Sequence, residues 1–284
     1  MEPEIISEYE DISSDGNESK NTFVAKKSLG QNFLHAPHVI GAMVHAARIL
    51  RDDAVLEVGP GKGALTSGLL EAGAHVIAVE KDDRAIPFLA EKFSSEIKTG
   101  KLKLVHGDIL EIEPAILGLK KGEYSIVANI PYYISGEFLR KFLESDTQPT
   151  RIVVMLQKEL AKRITDTKES ILSISVKAYG NPKYITSVPR KFFRPMPNVD
   201  SAVLLVENIS KRFFLDSNID EKNFFDLVKT GFSHKRKVLM GNLKEKMTPE
   251  ALKNLWKEEK WPVQARAEEL SLEQWKKIVC FPQK

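Results

Sequence analysis

One cysteine, Cys280, stands in 284 residues, which excludes an internal disulfide and any cysteine-rich metal site. Its place in a terminal helical pattern predicts a packing role rather than a catalytic one. Long apolar runs are missing too: the longest, such as Ile152-Val153-Val154-Met155-Leu156, are strand-sized and too short to cross a bilayer. The first residues are acidic where a secretory signal would be basic, so a cytoplasmic address is expected. There are no internal repeats, no low-complexity tract beyond the leader, no Ser/His/Asp constellation and no metal-ligand cluster. Redox chemistry, metal chemistry and triad hydrolysis are therefore not indicated.

What is present is a globular composition, 42% hydrophobic, enough for a sizeable core in one large domain with a smaller appendage. The net charge of +3 hides an asymmetry, because the first 22 residues hold seven acidic residues against Lys20 alone, −6 in all, and leave +9 for the rest. A basic body suits a polyanionic partner. The acidic leader has little to bury and is expected to be disordered.

Beyond the leader, apolar runs alternate with helix-compatible segments in the manner of a parallel sheet covered on both faces. Strands are predicted at Val55 to Val58, His75 to Glu80, Leu102 to His106, Ser125 to Asn129 and Ile152 to Leu156. Leu172 to Val176, Tyr184 to Val188 and Ala202 to Val206 have no long helices between them and suggest an antiparallel finish. From about Asn208 the pattern turns helical, with an apolar stripe at Phe224, Phe225, Leu227, Val228 and Phe232. Thr248 before Pro249 reads as an N-cap, and Ser271 with Gln274 as a capping box.

Right-handed crossovers bring the strand ends to one edge, where open α/β sheets bind ligands. At that edge Gly59, Gly61 and Gly63 are spaced G-x-G-x-G, which lets backbone approach a ligand but departs from the G-x-G-x-x-G of dinucleotide enzymes. Glu80 ends the second strand, a position from which a carboxylate accepts bonds from ribose hydroxyls. Asp108 follows the third strand and can accept from an adenine amine. Asn129-Ile130-Pro131-Tyr132 closes the fourth. There the Asn129 side-chain oxygen and the Ile130 carbonyl, exposed by the fixed backbone of Pro131, can accept the two N–H bonds of an exocyclic amine, while Tyr132 stacks on the base. Such an amine is a poor nucleophile because its lone pair is delocalised into the ring, and these acceptors help the lone pair re-form. Gln31 and Asn32, within Ser28 to His35, read either as a lid over the cofactor or as part of a helix N-cap.

Together these residues resemble the ribosomal RNA adenine dimethyltransferases. The resemblance spans about Lys26 to Leu270 and is carried by Lys27-Ser28-Leu29-Gly30-Gln31-Asn32-Phe33-Leu34, Glu57-Val58-Gly59-Pro60-Gly61-Lys62-Gly63, Asn129-Ile130-Pro131-Tyr132-Tyr133-Ile134-Ser135 and Phe193-Arg194-Pro195-Met196-Pro197-Asn198-Val199-Asp200-Ser201-Ala202. It implies a Rossmann-like class I methyltransferase sheet with an antiparallel finish and a small C-terminal helical domain. It also implies S-adenosylmethionine as cofactor, held by Asn32, Leu34, Gly59, Glu80, Asp108 and Asn129 with the Gly61 turn beside them. Phe193 would help Tyr132 sandwich the target adenine, although Phe192-Phe193 before a proline-rich turn also reads as a plug at the domain edge. Asp200-Ser201 is expected to be architectural. Many relatives have leucine where Ile130 stands, a swap that leaves the backbone carbonyl available.

The implied partner is small-subunit rRNA within a pre-ribosomal particle, bound by a monomer with no membrane contact and no metal. The expected division is residues 1–22 as leader, 23–207 as methyltransferase domain and 208–284 as helical RNA-binding domain. RNA backbone contacts are expected at Lys158, Lys162 and Arg163, and at Lys235, Arg236 and Lys237 on a candidate helix; solvated charged faces are the alternative for both clusters. Three rival functions stay open at this point: a DNA adenine-N6 methyltransferase, a nicotinamide-dependent dehydrogenase, and a ribosome-assembly factor that acts by binding.

Overall fold

The computed structural model describes residues 4–6, 24–26, 29–234 and 236–282. It divides into two compact units, residues 1–161 with 183–207 and residues 162–182 with 208–284. The stretch 162–182 therefore belongs to the helical unit, whereas the sequence placed it with the sheet.

In chain order the first unit begins with β1 (Glu4–Ile6), β2 (Phe33–Leu34), α1 (Pro37–Ala47), β3 (Ala54–Val58), α2 (Ala64–Glu71), β4 (His75–Glu80), α3 (Ala85–Lys92), α4 (Ser94–Lys98) and β5 (Leu102–His106). It continues through β6 (Tyr124–Asn129), α5 (Ser135–Glu144) and β7 (Arg151–Gln157). Helix α6 (Lys158–Thr165), which runs into the second unit, and α7 (Ile171–Tyr179), which belongs to it, follow, and then the sheet resumes with β8 (Asn181–Val188), β9 (Phe193–Arg194) and β10 (Ser201–Glu207).

One eight-stranded sheet runs in the order β1-β5-β4-β3-β6-β7-β10-β8. Strands β3 to β7 are mutually parallel, and β10 is antiparallel to β7. The five parallel strands are apolar on both faces because helices cover both: Val55, Leu56, Ile126, Val127, Val153 and Val154 have no exposed surface. The chain winds one way from β3 to β4 and β5 and the other way through β6 and β7, so the order reverses between β3 and β6. That reversal opens a crevice at the carboxyl ends of those two strands. Register pairs Val58 with Ala128, which sets Gly59 and Asn129 side by side at its floor.

Two expectations fail in this region. Leu172 to Val176 is not a strand but the body of α7. The Leu-Ser-Ile-Ser-Val alternation imitates a half-buried strand, yet Ser170 and Ser173 form a reciprocal capping box and bury Ser173, Ile174, Val176, Ala178 and Tyr179 on the helix. The acidic leader is not wholly unstructured: Glu4–Ile6 pairs antiparallel with β5, Ile5 opposite Val105. Its remaining residues lie outside those described.

The second unit adds α8 (Arg212–Leu215), α9 (Glu221–Gly231), α10 (Leu239–Leu243), α11 (Pro249–Glu258) and α12 (Leu272–Cys280). Thr248 caps α11 and Ser271 boxes α12 with Gln274, as the sequence predicts. Its core is aromatic. Phe214 and Phe224 meet edge to face at 5.6 Å, and Trp275, fully buried, stacks on Phe232 at 5.7 Å. Cys280 ends α12 exposed, not packed as expected, because α12 turns Trp275 and Ile278 inward instead.

Candidate active site at the carboxyl edge of the sheet

A cleft of about 240 Å³ opens at the reversal point of the first unit, lined by Leu29 to Leu34, the Val58–Lys62 turn, Glu80, Asp108, Asn129 to Ile134 and Phe193. Every residue that the sequence proposed for cofactor or target base therefore meets here: Asn32, Leu34, Gly59, Gly61, Glu80, Asp108, Asn129, Ile130, Pro131, Tyr132 and Phe193.

The floor is the turn after β3. Gly59 and Gly61 take φ of 69° and 56°, a left-handed backbone that side chains disfavour. The Gly59 N–H bonds the Val79 carbonyl at 3.0 Å, and the Gly61 N–H bonds Glu80 Oε2 at 3.0 Å. A Cβ on Gly61 would sit 2.9 Å from the Phe33 ring, so this bare backbone is what lets the Leu29 to Leu34 segment close over the turn. Glu80 is buried, and its other oxygen takes the Asp82 N–H at 2.9 Å. Burial raises its pKa, while the two N–H groups of Asp82 and Gly61 oppose the rise. Each oxygen keeps acceptor capacity for a hydroxyl.

Asp108 sits at the neighbouring strand end. Burial alone would raise its pKa, but the Lys81 ammonium at 2.6 Å and the Leu110 N–H at 3.0 Å bring it below the ordinary carboxylate value. It stays an anion and an acceptor. Across the crevice, Asn129 Nδ2 donates to the Asn32 carbonyl at 3.3 Å. The amide is thereby oriented, and its Oδ1 keeps acceptor capacity beside the Ile130-Pro131 backbone. The Tyr132 hydroxyl meets Ser201 Oγ at 2.6 Å, fixing the half-buried ring from its far end. Ser201 is thus architectural. Phe193 is 2% exposed and also lines the cleft, so it both plugs the edge and offers a ring to it.

The Leu29 to Leu34 segment is not a helix N-cap. Phe33–Leu34 pairs with Phe193–Arg194 as a two-stranded ribbon, Leu34 opposite Phe193. Lys27 and Ser28 lie outside the described residues. Three contributors escaped sequence reasoning. Asp82 receives the Gln31 amide at 2.7 Å, and the only signal was its place two residues past Glu80. Glu57, quoted in the glycine motif without a role, is wholly buried beneath the turn, and burial pushes its carboxyl up to about 8. Tyr133, at 67% exposure, stands on the cleft rim.

The basic residues that the sequence singled out are not among those lining the cleft. Lys158 pairs with Asp200 at 3.8 Å, and Lys162 and Arg163 are exposed further along α6. Arg236 and Lys237 are exposed in the turn between α9 and α10, not on a helix as expected, because α9 closes at Gly231. Lys235 lies outside the described residues. Among the described residues no acidic, histidine or cysteine cluster could hold a metal, and no helix is long and apolar enough to cross a membrane.

The residues fit a nucleoside-bearing cofactor. They offer glycine backbone at the floor, carboxylates with acceptor capacity in Glu80 and Asp108, and the Asn129 amide across the crevice. A model of the family described as ribosomal RNA adenine dimethylase matches residues 22–284. The chain belongs to that family. As a member of the ribosomal RNA adenine dimethylases, it is 39% identical over 261 residues to ribosomal RNA small subunit methyltransferase A of Dehalococcoides mccartyi strain CBDB1, covering 90% of this chain and 88% of that one. It is 38% identical to the protein of the same name from Clostridioides difficile, covering 90% of each. The structure of a dimethyladenosine transferase from Plasmodium falciparum superposes with a TM-score of 0.70 at 27% identity, covering 87% of this chain and 95% of that one. That of the 23S rRNA methyltransferase ErmE gives 0.71 at 24%, covering 87% and 98%, and shares the fold. The dimethylase is a methyltransferase, which overturns the dehydrogenase reading.

Proposed function

We propose that this dimethylase uses S-adenosylmethionine to convert adenosines of small-subunit rRNA to N6,N6-dimethyladenosine within a pre-ribosomal particle. The observation that carries the reading is the Asn129 amide. Its Nδ2 is committed to the Asn32 carbonyl, so its Oδ1 is turned to receive an N–H from an adenine amine, with the Ile130 carbonyl as the second acceptor. Drawing on both N–H bonds localises the nitrogen lone pair that the ring otherwise delocalises. Tyr132, held at its hydroxyl by Ser201, stacks on the flipped base, and Phe193 closes the other side.

Glu80 would hold the cofactor ribose, Asp108 its adenine amine, and Asn32, Leu34 and the Gly59–Gly61 backbone its remaining length. When bound, S-adenosylmethionine supplies a methyl group already activated on a sulfonium, so the protein's part is orientation and lone-pair development rather than strong base catalysis. The amine proton leaves to solvent after transfer, and the same acceptors take one N–H of the monomethyl product for a second round. All of these groups come from one chain, which supports a monomeric enzyme, and a cytoplasmic site of action goes with the substrate. Lys158, Lys162, Arg163, Lys235, Arg236 and Lys237 are proposed to contact the RNA backbone.

The test is incubation with labelled methyl donor and unmethylated small-subunit particles, followed by nucleoside mass analysis. Label in dimethyladenosine is expected. Label confined to DNA or large-subunit RNA, or particle binding with no label, would overturn the reading.

A further inference from the structure

A chain of hydrogen bonds links the segment over the cleft to the glycine turn beneath it. The Lys26 N–H donates to Gln31 Oε1 at 2.8 Å, and Gln31 Nε2 donates to Asp82 Oδ2 at 2.7 Å. The Asp82 N–H donates to Glu80 Oε1 at 2.9 Å, and the Gly61 N–H donates to Glu80 Oε2 at 3.0 Å. Asp82 is 2% exposed. Its carboxylate is also gripped by Arg84, through Nε to Oδ1 at 2.9 Å and Nη2 to Oδ2 at 2.6 Å. That guanidinium holds it down to about 2, so Asp82 is an anion throughout the working pH range and Gln31 makes a charge-assisted bond.

On the opposite side the same segment is stitched to the target-base wall. Asn32 accepts from Asn129, and a Cβ on Gly30 would lie 3.3 Å from both Pro131 and Tyr133. Leu29 to Leu34 thus has one anchor at Asn129 and another at Asp82, with the cleft between.

We propose that Asp82 is a positioning residue which, through Gln31, clamps the Leu29 to Leu34 segment over the cofactor arm of the cleft and, through its own N–H, presets the Glu80 carboxylate. This rests on the reading that the cleft takes S-adenosylmethionine. Asp82 does not touch the reacting atoms; it acts through two residues that line the pocket. The competing role is local, since Asp82 also accepts the Arg84 N–H at 3.2 Å at the start of α3. A cap alone would leave Gln31 without consequence.

Three variants separate these roles: Gln31→Ala, Asp82→Asn, and the double variant Gln31→Glu with Asp82→Asn, in which donor and acceptor exchange places. Hydrogen exchange on the ligand-free protein reports the clamp directly. Amides of Leu29 to Leu34 should exchange at least about ten-fold faster in both single variants, with the β3 and β6 amides unchanged and partial recovery in the double variant. Calorimetric titration with S-adenosylmethionine should show Kd raised about ten-fold or more in the single variants, the scale of a lost bond to a charged group. The KM for the RNA particle should stay within about two-fold of wild type. Unchanged exchange and unchanged affinity in Gln31→Ala would overturn the proposal, as would a lowered melting temperature in Asp82→Asn as the sole effect of the set. If wild type takes up no S-adenosylmethionine while the exchange pattern holds, the clamp stands and the cofactor reading falls.

Discussion

The carboxyl edge of the sheet and the helical unit bury their side chains on opposite terms. In the helical unit the interior is mostly rings and aliphatics, Trp275, Phe224, Leu227, Val228 and Leu239, and its one buried carboxylate among the described residues, Glu169, is paired with Lys177 at 2.6 Å. At the sheet edge three carboxylates, Glu57, Glu80 and Asp82, are buried within a few residues of the cleft. Burying carboxylates is unfavourable unless each is neutralised or hydrogen-bonded. Glu80 and Asp82 are held by backbone N–H groups, Gln31 and Arg84, and Glu57 by retaining its proton. The difference teaches where each region's side chains are used: the helical unit spends its interior on stability, whereas the sheet edge gives up stability to hold polar groups in fixed directions.

The comparison breaks most visibly at Trp275. Truncation to alanine should lower stability by about 3–5 kcal/mol, the usual scale for a buried aromatic, read as a shifted denaturant midpoint. At the sheet edge the corresponding change is Asn129→Ala. It should reduce methyl transfer by about 10²–10³-fold, the scale for losing one preorganised hydrogen-bonding group, with the denaturant midpoint near wild type; wild-type turnover would remove Asn129 from the mechanism.

Glu57 sharpens the contrast through pH. Its folded value of about 8 lies above the ordinary 4.5, so between those values the folded state holds a proton that the unfolded state releases. Its contribution to stability is therefore fully present below about 4.5 and is lost as pH rises through about 8. Glu57→Gln should flatten that slope, with variant and wild type alike in acid and the variant more stable at pH 9. Denaturation curves across the range would show it; parallel curves would contradict the assignment. The smallest effect is expected at Arg236. Arg236→Ala should weaken RNA binding uniformly across sequences and reduce the salt slope by about 1, measured by titration at several salt concentrations.

The five parallel strands were legible because each is an apolar-rich run of strand length, and four of them are closed by residues that also line the cleft, Gly59, Glu80, Gly107-Asp108 and Asn129. The motif pattern thus located Gly59, Glu80, Asp108 and Asn129 together. What stayed hidden depends on partners distant in sequence or on cues that point two ways. Leu172 to Val176 has strand-like alternation and was decided by a serine capping box. Glu4–Ile6 is too short to stand out in an acidic tract, and its strand exists only because β5 offers an edge. Asp82 could not be read as a partner of Gln31 from sequence, because only the fold brings the two positions together.

Gly61 carries one more consequence. The vacancy at its α-carbon is filled by an aromatic ring of the same polypeptide, Phe33, so the spacing of this turn is tuned to an internal occupant as well as to any bound molecule. Positions 33 and 61 consequently form one steric unit: a methyl group added at the second demands a smaller residue at the first. A chain that inherits this turn without a matching Phe33 would keep the recognisable signature and lose the roof above it.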